Sequence, residues 1–150
     1  MNMLEELKIN GERYLGVTQI GKIITEILGL PKNIGGQKMN EIFCKLSFQN
    51  LIDTKDIKYK PTQKYEKLSK KVELLREDRD YNFYFKWNIS IILLILDISL
   101  HENIDTNIVR IIKRLQVINL VNLNELNIEK MRYNVNELLN FFKIFSLSNI

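Results

Sequence analysis

The chain has 150 residues, 45% of them hydrophobic, with only 2 Pro and 6 Gly, so it can bury a core and is not a disordered tail. No Ser/Gly-rich or Pro-rich stretch marks a flexible linker. The formal charge is +4, and the whole excess lies in the first half: residues 1–75 carry 13 Lys+Arg against 9 Asp+Glu, residues 76–150 carry 9 of each. The opening MNMLEELKIN has neither the basic start nor the apolar run of a signal peptide. The single Cys44 cannot form an internal disulfide, so a cytoplasmic setting is expected.

From Thr18 onward, apolar residues fall at Ile20, Ile23, Ile24, Ile27 and Leu28, the spacing of one helix face. Thr18 is the expected N-cap and Gly29 the expected stop. The turn GLPKN follows. A second helix is predicted over 35–46, with Met39, Ile42, Phe43 and Leu46 inward and Gln37, Lys38, Asn40, Glu41 and Lys45 outward. Two short amphipathic helices joined by a tight turn form a helix-turn-helix candidate.

Next, Ile57-Lys58-Tyr59-Lys60 alternates apolar and basic residues, as a wing strand would. Pro61 is expected to end it, and Thr62 to cap a helix with Tyr65, Leu68, Val72 and Leu75 on one face and Lys64, Lys67 and Lys71 on the other. Tyr81, Phe83, Phe85 and Trp87 alternate with Asn82, Tyr84 and Lys86, predicting a strand that pairs with the wing. Burial in a core is the preferred reading of those aromatics, with stacking on unpaired bases as the alternative. The apolar run over 89–96 falls short of the roughly 20 residues that span a bilayer and predicts a buried helix, with no membrane partner.

Ile104, Ile108, Ile111, Ile112, Leu115 and Ile118 line another helix, with Asp105 near its N-terminal end. A last helix from about Asn136 groups Leu138, Leu139, Phe142 and Phe145. The fold expected is therefore mainly α with a small β wing: a winged helix-turn-helix over 1–87 and a helical extension over 88–150, for packing or for a homodimer.

The runs YLGVTQIGKIITEILGL, NIGGQKMNEIFCKLSFQ, YKPTQKYEKLSKKV and FKW resemble the C-terminal domain of phage antirepressors, of the KilA C-terminal type, over residues 14–90. The chain departs from that pattern at Tyr65, where the family has glycine, and residues 96–150 have no counterpart. The resemblance implies a winged-helix module for DNA binding or protein interaction in a phage or prophage.

The basic stretch points the same way. Between Lys55 and Lys71 stand seven lysines against Asp56 and Glu66, a local field that draws a polyanion. The ordinary alternative is a solvated face. As a DNA-binding regulator of transcription, the chain is expected to set Gln37, Lys38 and Asn40 in a groove and Lys58, Lys60, Lys64, Lys67 and Lys71 on phosphates of double-stranded DNA. The alternative is a phage-encoded inhibitor of a host defence nuclease, anti-CRISPR-like, whose partner is a host protein or ribonucleoprotein. One Cys and one His supply no usual zinc site, and neither catalytic triads nor phosphate loops are present, so no cofactor, no metal and no enzyme activity are expected. The Glu77/Asp78 pair reads as a solvated turn.

Overall fold

The computed structural model describes residues 6–9, 12–74 and 81–148, and for residues 6–9 and 144–148 only the backbone. Leu75, the Glu77/Asp78 pair and the side chain of Phe145 lie outside the described residues. The chain divides into two compact units: Met1–Ile20 with Gly35–Ile89, and Gly21–Ile34 with Ser90–Ile150. The division expected after residue 87 has its counterpart at Ile89, but residues 21–34 group with the C-terminal helices.

In the first unit, β1 (Glu6–Ile9) and β2 (Glu12–Leu15) run antiparallel with Ile9 opposite Glu12. β2 pairs with β6 (Phe83–Asn88), and β6 with β5 (Ser69–Glu73), giving the antiparallel order β1-β2-β6-β5. A separate ribbon joins β3 (Gln49–Leu51) to β4 (Tyr59–Pro61). Between α1 (Val17–Leu28) and this ribbon lies α2 (Gly36–Lys45), which buries Met39, Ile42 and Phe43 as its spacing predicts. The chain is thus mixed α/β with small antiparallel sheets, a correction to the mainly α expectation.

Four local expectations are corrected. Residues 62–75 do not form one helix: Gln63–Leu68 is a 3-10 helix, and Ser69–Glu73 is strand β5. Tyr65, Leu68 and Val72 do have helical spacing, but β6 offers a five-residue ladder from Ser69↔Trp87 to Glu73↔Phe83, and this pairing overrides local preference. The Thr62 side chain makes no cap; its hydroxyl donates to the carbonyls of Ser47 (2.8 Å) and Phe48 (3.2 Å). Nor does the aromatic strand pair with the wing: both edges of β6 are taken, by β2 and β5, and β4 pairs with β3. Finally, α1 begins at Val17, so Thr18 lies inside its first turn.

The second unit is helical. α1 ends at Gly29, whose φ of +69° suits glycine, and a Cβ there would stand 3.1 Å from Lys130 Cδ and 3.2 Å from Asn127 Cβ. The Thr25 hydroxyl donates to the Gly21 carbonyl and accepts the buried Ile34 N–H (2.9 Å), fixing the chain after the helix. α3 (Ile91–Leu96) is buried at Ile91, Ile92, Ile95 and Leu96. α4 (Ile104–Val117) starts at Asn103, whose side chain accepts from the Thr106 N–H, and buries Ile108, Ile111 and Leu115, with Ile118 just beyond it. α5 (Ile128–Ser148) begins eight residues before the expected start, capped by Asn127 and buried early at Met131 and Val135.

Asn107 is fully buried on α4. Its Oδ1 accepts the Ser99 N–H (3.0 Å), and its amide donates to the carbonyls of Ser99 and Glu102. Asn107→Leu strands these backbone groups, and we expect a loss of about 1–3 kcal/mol in urea unfolding, larger than that of Lys113→Ala on the exposed face of the same helix.

Candidate nucleic-acid interface

Phe43 on α2 organises the first unit. Its ring meets Phe48 edge-on at 5.4 Å and Trp87 of β6 at 5.1 Å, and Phe48 in turn meets Tyr65 of the 3-10 helix at 4.7 Å. Helix, ribbon, sheet and 3-10 helix therefore share one aromatic cluster. The α2–β3 link adds a polar tie: Gln49, only 3% exposed, donates from Nε2 to Asn40 Oδ1 at 3.0 Å.

On this frame the lysines stand outward. Lys58 and Lys60 are exposed, Lys58 at the bend just before β4 and Lys60 within the strand. Lys64 and Lys67 are exposed and three apart on the 3-10 helix, where residues i and i+3 eclipse. Lys70 and Lys71 point to opposite faces of β5, the first toward the Tyr14 ring (5.8 Å) and the second over Phe83 (4.1 Å). Lys64, Lys67 and Lys71 thus do not share one helix face as the sequence suggested. Among the described residues, none of the seven lysines from Lys55 to Lys71 forms an ion pair with a carboxylate.

The three α2 positions separate. Gln37 is exposed, Lys38 is half-buried and lies 3.8 Å from Glu41, and Asn40 turns inward to Gln49. Asn40 and Lys58 both line a cavity of about 300 Å³, together with Gln49, Tyr59, Tyr81, Phe83, Phe85 and Trp87. Of the aromatic stripe only Trp87 is buried; Tyr81, Phe83 and Phe85 are half-buried along this wall. Sequence reasoning passed over Gln49 and Tyr59 as site residues. Their one signal was position, directly after a buried Phe48 and between Lys58 and Lys60.

The segment between β3 and β4 holds this wall in place. Tyr81 donates to Asp53 Oδ1, Asn82 Nδ2 donates to Asp56 Oδ1 at 2.8 Å, and the Asn82 and Phe83 N–H groups both donate to the Asp56 carbonyl. At the other side of the sheet, burial raises the Tyr14 hydroxyl above the ordinary phenol range, helped by its hydrogen bond to Glu12. No helix among the described residues is long and apolar enough to cross a membrane. No protein-family model, curated protein or solved structure matches the chain.

Two predictions follow from this geometry. Edge-to-face pairs contribute about 0.5–1.5 kcal/mol each, so Phe43→Leu should lower unfolding stability by about 1–3 kcal/mol and shift the emission of Trp87, while Lys60→Ala leaves both unchanged. Because the folded-state pKa of Tyr14 is raised, its stabilising contribution is complete below the free phenol value of about 10. It is lost as pH climbs through the folded value, and Tyr14→Phe should flatten that alkaline decline.

Proposed function

We propose that the first unit binds double-stranded DNA as a regulatory protein of phage or prophage type. The observation that carries this reading is the set of exposed lysines on β4, the 3-10 helix and β5, with no described carboxylate paired to them. Such a surface releases condensed counterions when it meets a phosphate backbone, which drives association. Lys58, Lys60, Lys64, Lys67 and Lys71 are the phosphate-binding group. Gln37 and Lys38, in the first turn of α2, are the residues for base or phosphate contact, while the Asn40 carbonyl is engaged by Gln49.

The β3–β4 ribbon serves as the wing, tied to α2 through Gln49 and to the turn after α2 through Thr62. The resemblance of residues 14–90 to antirepressor C-terminal domains supports the same reading. Affinity for a duplex should fall with salt at a slope near −0.9 per phosphate contacted, about −4.5 for the five lysines together.

The test is fluorescence anisotropy of an AT-rich duplex between about 50 and 200 mM salt. Charge reversal of Lys58, Lys60 and Lys64 together should weaken binding by about 100-fold or more and flatten the slope by about 3, with circular dichroism unchanged. Unchanged duplex affinity in that variant would overturn the proposal.

A further inference from the structure

The cavity in the first unit has features that phosphate binding on the surface does not use. Its wall is the β6 face that carries Phe83, Phe85 and Trp87, alternate residues whose rings project to one side of the sheet. Tyr59 and Tyr81 complete an aromatic lining, and Tyr81 is anchored by its bond to Asp53. A volume of about 300 Å³ is at the small end for a ligand site, enough for one planar ring system and its substituent.

The polar end is set by the two amides. Gln49 spends an N–H on the Asn40 carbonyl oxygen, and among the described residues nothing donates to the Gln49 Oε1 or accepts from the Asn40 Nδ2. A carbonyl acceptor and an amino donor are therefore left on two neighbouring cavity-lining side chains, one of them 97% buried. Both side chains line the cavity, so a ligand there can supply the remaining partners of these amides. At the same cavity Lys58 adds a cation, and the Lys71 ammonium lies 4.1 Å from the Phe83 ring centroid.

We infer that this cavity is a nucleotide site: the base stacks on Phe83 and Phe85 beside the buried Trp87, its edge meets the Gln49 and Asn40 amides, and its phosphate meets Lys58 and, beside Phe83, Lys71. Aromatic faces accept any base, the amide pair supplies the complementary donor and acceptor, and the lysines select the phosphorylated form. The nucleotide comes either free in solution or as an unpaired nucleotide of a strand. The site shares Lys58 and Lys71 with the proposed duplex surface, but Gln49 lies in the cavity and outside that surface, so its substitution separates the two readings.

Trp87 is the single tryptophan and lies in the wall, so its emission reads occupancy directly. The full chain is titrated with each of the four common nucleoside monophosphates, with the matching nucleosides, with inorganic phosphate, and with short single-stranded homopolymers, exciting at the red edge of the tryptophan band. Saturable quenching by a monophosphate, weaker by about tenfold in Gln49→Leu and in Lys58→Ala, is the result expected for a free nucleotide. Quenching by the homopolymers alone, with the same variant pattern, assigns the site to a strand. Calorimetry repeats both titrations, so that a displaced Trp87 is not mistaken for a lost site. No saturable response to any of these ligands, or equal response in wild type and Gln49→Leu, overturns the inference, whatever the duplex experiment gives.

Discussion

Edge-to-face packing of Phe43 against Phe48 and Trp87 is the contact on which the first unit depends. It joins the helix whose outer face carries Gln37 and Lys38 to the turn that leads into β3 and to the central strand β6. Phe48 extends the cluster to Tyr65, and through it to the 3-10 helix that presents Lys64 and Lys67. The basic side chains are long and solvated, so their positions are only as fixed as the backbone beneath them. That backbone is held by rings in the core and, at the edges, by the Gln49–Asn40 and Thr62–Ser47 hydrogen bonds.

The same packing explains why one sheet face has two characters. Near β2 it is closed: Leu15 and Trp87 pair directly and both are buried. Toward the far end of β6, Phe85 and Phe83 face Lys71 and Glu73 on β5, whose side chains are too polar to seal the wall, and the cavity opens there. A core that simply continued would have placed apolar residues at 71 and 73. Surface lysines and a partly open aromatic wall are therefore two outcomes of one strand pairing.

Much of the helical structure was legible in the sequence. α2, α3 and α4 follow their apolar periodicity, and Gly29 ends α1 as its position suggested. What was not legible depended on distant partners. Residues 69–73 fit a helix by spacing and became a strand because β6 was available to pair. The β1–β2 hairpin is too short to show a pattern, and the first turns of α5 bury only Met131 and Val135 among polar neighbours. The lysines of the candidate interface were visible as a run, whereas their division between ribbon, 3-10 helix and two sheet faces was not. The cavity was out of reach for the same reason, since Asn40, Gln49, Tyr59 and Phe85 meet only once β3–β4 and β6 are in place.

The central claim is that nucleic acid lands on the lysine surface that this aromatic frame supports. Amide hydrogen exchange of the full chain, with and without a short AT-rich duplex at low salt, tests it most directly. The account predicts slowed exchange over residues 58–71 and in the first turn of α2, with the helices of the second unit unchanged. Slowed exchange confined to the second unit, or none at all at duplex concentrations well above those of the protein, would contradict it.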